Sequence, residues 1–230
     1  LLFSSWLPIE LVTHTLELVR DHAGNVMGIL VGSGPKTNID ITARDPASGR
    51  SQIRLFPLNT LQPIPLKWAN GAVIAYGIRN PAGFTFPNDP AVGPVDKKTL
   101  LIVENGASIE NVTGITAAFA NDDPADEIES FVYSLAGTLS SPPFFGFPDC
   151  STLWNPRADP TGVPQYLNLT RGAQFSLNLP ILSPGAPVRN DAWCQNGTNN
   201  RPPAFNFQVR PKLQGPSQVP RDSDAFLLQA

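Results

Sequence analysis

The pair Arg79-Asn80 sets a planar guanidinium fork beside a carboxamide, a combination that grips the carboxylates and carbonyls of a planar anionic ligand. It lies in the turn Gly77-Ile78-Arg79-Asn80-Pro81, and Gly77, Pro81 and Gly83 punctuate the stretch, which predicts a strand end. Pro81 also biases Asn80 towards an extended backbone. The competing reading is a solvated turn. A second concentration of polar groups runs from Asn121 to Glu129, where five carboxylates fall within nine residues. Dense oxygen donors suit calcium, although the spacing is not that of an EF-hand. The alternative there is a solvated acidic loop. The loop Gly32 to Asp40 carries Lys36 among glycines, but Pro35 intervenes and no helical pattern follows, so a phosphate-binding loop is rejected. With only His14 and His22, a zinc site would have to draw on the cysteines, and no Ser-His-Asp arrangement is supported.

These groups must be held by strands. Residues 10 to 31 alternate polar and apolar and break at His22-Ala23-Gly24-Asn25, which favours a hairpin of Thr13 to Val19 and Val26 to Val31 over a helix in the first segment, where Leu11, Leu16 and Leu18 are not β-specific. Gly49 to Phe56 reads as another strand, in which Arg50 and Arg54 are structural or solvent-facing. A turn at Lys67 to Gly71 leads into a strand over Ala72 to Tyr76 that feeds the Arg79-Asn80 turn. Two further runs follow, Ala82 to Phe86 and Thr99 to Val103, the second ending at Glu104-Asn105-Gly106. A small-residue loop is expected from there to Ala120, and a Pro-rich, less regular part from about residue 180.

The chain has 230 residues and a formal charge of −3, within the range of one domain over residues 1–230. The acidic balance argues against nucleic acid, which asks for a clustered basic face. The 25 prolines are roughly double the usual ~5%, so short strands and many loops are expected. No run approaches the ~20 apolar residues of a membrane span. Leu1 to Trp6 is too short and lacks the basic start of a signal peptide, so the chain reads as a mature portion or fragment of an exported protein. Three sequons, at Asn111, Asn168 and Asn196, are candidate glycosylation sites, and two cysteines, Cys150 and Cys194, suit the secreted, oxidising setting that the resemblance described below implies. Two unbridged buried thiols are the alternative.

Taken in order, "GIRNPAGFTF", "LLIVENGA", "DDPADEIESF" and "FFGFPDCSTLWNP" resemble the sugar dehydrogenases that use pyrroloquinoline quinone (PQQ), in particular the fungal pyranose and sorbosone dehydrogenase group. The resemblance runs roughly from Thr13 to Leu213. It implies an all-β fold, a six-bladed β-propeller of which this length amounts to three or four blades. It implies PQQ and calcium as cofactors, with Asn38, Asp40, Arg79 and Asn80 at the quinone and the carbonyls of Gly106 and Ala107 on calcium. Cys150 and Cys194 match the family's cysteines, and a bridge between them would close a loop of about 45 residues. The partners implied are a pyranose sugar or sugar aldehyde and an external electron acceptor such as a haem domain or protein. In the family a histidine takes the hydroxyl proton while hydride passes to the quinone. Here Leu11 stands at that histidine and His14 at a neighbouring arginine, so His14 is the candidate base; the alternative is a chain without general-base chemistry. The rival reading is an inactive propeller fragment or a carbohydrate- or partner-binding module working through Trp68, Trp154 and Trp193.

Overall fold

The computed structural model describes residues 15–21, 23–58, 66–87, 97–134, 141–158, 166–181 and 185–208. The expected hairpin is there as β1 (Leu16–Arg20) and β2 (Val26–Ser33), an antiparallel pair. Asp21 organises its turn by accepting from the backbone N–H groups of Ala23 and Asn25. β3 (Gln52–Pro57) and β4 (Ala72–Tyr76) continue the meander into a four-stranded sheet ordered β1-β2-β3-β4. The predicted turn before β4 is a single 3-10 turn over Trp68–Asn70. Arg54 is buried on β3 and donates to the carbonyls of Trp68 and Gly71, so its role is structural.

A second four-stranded sheet, ordered β10-β7-β6-β5, contains β5 (Pro81–Thr85), β6 (Lys97–Glu104), β7 (Asp126–Ser134) and β10 (Phe205–Phe207). Two expectations are corrected here. The loop predicted up to Ala120 ends in a short helix, α1 (Ala117–Asp122), because the Thr116 hydroxyl caps the N–H of Phe119. The acidic stretch is not a solvated loop either: its second half is the start of β7, and Glu127 and Glu129 face inward. The Pro-rich end is less irregular than expected, since β10 adds a strand to β7.

The faces of the two sheets meet over Leu30, Ile53, Leu55, Ile74, Ile78, Leu100, Ile102, Phe131, Tyr133 and Phe145. Each fully buried side chain of this kind stabilises by about 1.5–3 kcal/mol. Period-two alternation places Leu100 and Ile102 of β6 on the same face as Phe131 and Tyr133 of β7. A second core lies around the small sheet of β8 (Cys150–Thr152) and β9 (Gln174–Ser176), where Phe119, Tyr166 and Phe175 pack ring against ring. Cys150 is bridged to Cys194 of α2 (Asp191–Cys194), with 5.6 Å between the Cα atoms. In the chain-entropy account, closing a loop of that length contributes about 3–4 kcal/mol. Asp149, one residue before the bridge and fully buried, receives Arg44 as a fork and Arg189 from a separate segment.

Candidate functional site

The ends of β2, β4 and β6 and the starts of β3, β5 and β7 lie at one edge of the two sheets, and the turns between them converge. The Arg79-Asn80 turn is fixed from both sides. Gly77 has φ +73°, and a Cβ there would fall 2.4 Å from the Phe144 ring, so only glycine fits. Ile78 is buried in the core between the sheets, and its N–H donates to the carbonyl of Ser51. Ser51 itself holds a left-handed φ of 50°, a strained conformation for a side-chain-bearing residue. A shift of register between Pro81 and Gly83 then re-aims the start of β5.

Arg79 reaches across to Asn38: Nε donates to its carbonyl at 3.2 Å and one terminal nitrogen to its Oδ1 at 2.8 Å. The same Asn38 side chain accepts from the Ser108 N–H at 2.9 Å and donates to the Ser108 carbonyl. Asn80 donates from Nδ2 to Oδ1 of Asn105 at 3.2 Å, while its own Oδ1 is buried without a partner. Turning both amides over keeps that bond and presents an N–H in place of the orphaned oxygen. Either way, one polar atom of Asn80 is left for a ligand.

Gly106 follows directly. Its N–H donates to Asp126 Oδ1 at 2.6 Å, and a Cβ there would meet the Ala125 carbonyl at 2.8 Å. Gly106 and Ala107 line a narrow cleft with Asn121, Asp122, Pro124, Asp126 and Gln208. Backbone and carboxylate oxygens are thus gathered where a hard cation is expected.

Beneath the turn, the inward face of the second sheet changes character. The apolar run Leu100, Ile102, Phe131 gives way to Glu104 directly opposite Glu127, with Glu129 next along β7. All three are buried, and one carboxylate oxygen from each lies within 4.8 Å of the others. Glu104 accepts the Arg79 backbone N–H at 2.6 Å. Burial first, and the neighbouring Glu127 second, push the carboxyls of Glu104 and Glu129 well above the usual range; burial also raises that of Glu127.

The structure therefore brings together Asn38, Arg79, Asn80, Gly106 and Ala107. Asp40 is corrected. It faces its own segment, accepting from Lys36 N–H, Thr42 and Arg50, and caps the 3-10 turn Ile41–Arg44. Burial pushes its carboxyl up, but those hydrogen bonds outweigh it and hold the group low. His14 lies outside the described residues; its neighbour Thr15 donates to the Pro81 carbonyl at 2.5 Å, beside the Arg79-Asn80 turn. Asn111, Asn168 and Asn196 are all exposed, and the Thr198 hydroxyl bonds the Asn196 amide oxygen. Asn105, Ser108 and the three glutamates were not singled out as site residues by sequence reasoning. Period-two spacing of Glu127 and Glu129 was the signal that they share a strand face. The tryptophans do not form open platforms. Trp68 is buried, and arginines lie over the rings of Trp68 (Arg54), Trp154 (Arg171) and Trp193 (Arg189).

A family model described as TrAA12-like matches residues 8–211, nearly the whole chain. The chain belongs to that family. It is 34% identical over 190 residues to a pyrroloquinoline quinone-dependent pyranose dehydrogenase of Coprinopsis cinerea, covering 79% of this chain and 22% of that protein. It is 31% identical over 150 residues to a pyrroloquinoline quinone-dependent sugar dehydrogenase of Hypocrea jecorina, covering 64% of this chain and 32% of the relative. Among solved structures, the calcium structure of the Trichoderma reesei family AA12 protein superposes with a TM-score of 0.63 at 29% identity, over 86% of this chain and 43% of that one. The PQQ domain of the Coprinopsis cinerea pyranose dehydrogenase shares the fold, with a TM-score of 0.56 at 23% identity over 84% of this chain and 42% of that one. The chain thus spans between a fifth and a half of the relatives it matches. Among the described residues, no helix is long and apolar enough to cross a membrane.

Proposed function

We propose that this chain is part of a PQQ- and calcium-dependent dehydrogenase that oxidises a pyranose sugar or sugar aldehyde. The observation that carries it is the buried, unpartnered Oδ1 of Asn80 beside an Arg79 guanidinium locked by Asn38. With the amides of Asn80 and Asn105 both turned over, the unmet atom is an N–H donor, which fits the oxygens of a planar anionic group and costs free energy without one. Family membership supports the same reading. When bound, the quinone supplies a hydride acceptor for the anomeric C–H, and calcium polarises it as a Lewis acid.

This chain's own residues do the holding. Arg79 and Asn80 orient the quinone, and Asn38 keeps Arg79 in place. The Gly106 and Ala107 carbonyls, with the carboxylates of their cleft, would hold the calcium. His14 is the candidate acceptor of the sugar's hydroxyl proton, and Thr15 ties the segment that follows it to Pro81. In this reading residues 1–230 form one propeller domain. The two four-stranded antiparallel sheets are two blades of a six-bladed ring and the β8–β9 sheet belongs to a third. The partner this reading implies is an external electron acceptor, a haem domain or a protein. The protein is secreted and glycosylated at the exposed Asn111, Asn168 and Asn196.

Asn80→Ala tests the assignment. It should weaken quinone binding in calcium by about tenfold or more, since a hydrogen bond to a charged group is worth about 1.5–3 kcal/mol. An unchanged quinone affinity in a folded variant sinks it.

A further inference from the structure

The Glu104, Glu127 and Glu129 cluster is not among the residues assigned to the quinone, and it is a costly arrangement. Glu104 and Glu127 are direct cross-strand partners, where like charges destabilise a sheet. Glu129 is 0% exposed and its carboxylate oxygens meet no donor beyond the neighbouring Glu127 carboxyl, while Oε2 of Glu104 meets none at all. Among the described residues, none of the three forms an ion pair within hydrogen-bonding reach of an arginine or lysine side chain. Arg79 and Arg201 act on Glu104 and Glu129 only through their charge and, for Arg79, a backbone N–H. Unmet carboxylate oxygens buried at this depth lack the partner that burial of charge requires.

We propose that Glu104, Glu127 and Glu129 form a second cation site, specific for calcium and separate from the one at the Gly106 and Ala107 carbonyls. The oxygens lie within 4.8 Å of one another. An ion equidistant from three oxygens at that limit sits about 2.8 Å from each, and a small inward movement reaches the 2.3–2.6 Å of calcium ligation. Three glutamates offer up to six oxygens, which meets calcium's coordination, whereas magnesium retains its waters and is disfavoured in a site so fully closed. Zinc is disfavoured for want of nitrogen or sulfur ligands. Through Glu104 the site would also brace the backbone of Arg79. The proposal does not rest on the quinone reading, because its ligands are side chains of the sheet itself.

The test uses the full 230-residue chain, stripped with EGTA and kept free of quinone. Calcium is then titrated by calorimetry, with melting followed in parallel and magnesium as the comparison. The wild type should take up calcium with a rise in melting temperature, and bind magnesium far more weakly. Glu129→Gln should bind calcium at least tenfold more weakly. In calcium-free buffer it should melt no lower than the stripped wild type, because an uncharged amide replaces a buried carboxyl at nearly constant shape. No calcium uptake by the quinone-free wild type overturns the proposal, whatever the variant does. So does calcium affinity unchanged in Glu129→Gln, which would assign the ion to the backbone site alone. If Glu129→Gln does not fold, Glu127→Gln is read by the same criteria. Quinone binding is measured separately, so either reading can fail without the other.

Discussion

Replacing Asn38 by alanine removes the one side chain that ties the loop after β2 to both Arg79 and Ser108. Three hydrogen bonds are lost: one from the Arg79 guanidinium at 2.8 Å, one from the Ser108 N–H at 2.9 Å, and one to the Ser108 carbonyl at 2.5 Å. Two neutral bonds at about 0.5–1.5 kcal/mol and one charged bond at about 1.5–3 kcal/mol bound the loss. Asn38 is half-buried, so water recovers part of it, and about 2–4 kcal/mol is expected. Urea unfolding is the assay: the midpoint should fall with an unchanged slope, by roughly 1 M or more for slopes of about 1–3 kcal/mol per molar. Asn38→Asp keeps the acceptor for Arg79 and loses the donor to Ser108, so it should fall between wild type and alanine. A loss under about 0.5 kcal/mol for Asn38→Ala, or an aspartate as damaging as the alanine, refutes the claim that Asn38 holds Arg79.

Asp149→Asn should cost about 2–4 kcal/mol in the same assay, because two guanidiniums, Arg44 and Arg189, lose the buried carboxylate between them. A change within the error of the melt would show that those arginines rehydrate freely. Asp123 gives a pH signature. Burial raises its carboxyl from 3.8 to about 6, against the N–H donors of Trp154 and Asn155. The folded state therefore binds this proton more tightly than the unfolded chain. Its contribution to stability is complete below about pH 4 and is lost as pH rises through about 6, a swing of about 1–3 kcal/mol. Asp123→Asn should flatten that part of the stability–pH curve, and a curve identical to wild type contradicts the assignment.

Much of the strand content was legible because alternation and punctuation agreed. The β1–β2 hairpin follows its polar–apolar period and its Asp21 turn, and the Arg79-Asn80 turn follows Gly77 and Pro81. The bridge followed from the family pattern at Cys150 and Cys194. Other features had no local trace. β10 is three residues whose only reason to be a strand is the free edge of β7, a long-range pairing. The family pattern set Asp40 at the quinone, and no local signal showed that Arg50 and Thr42 would bind its carboxylate. The acidic stretch misled for a related reason: charge density suggests solvent, while the strand period of Glu127 and Glu129, set against Glu104, points inward. The orphaned atom of Asn80 is a property of three-dimensional bookkeeping that no sequence displays.

The most direct test of the account is a titration of the purified chain with PQQ, with and without calcium, followed by quinone absorbance. The account predicts saturable binding at one quinone per chain that depends on calcium and is weakened by Arg79→Met as well as by Asn80→Ala. Absence of saturable binding by a folded chain, or binding indifferent to calcium and to both substitutions, would contradict it.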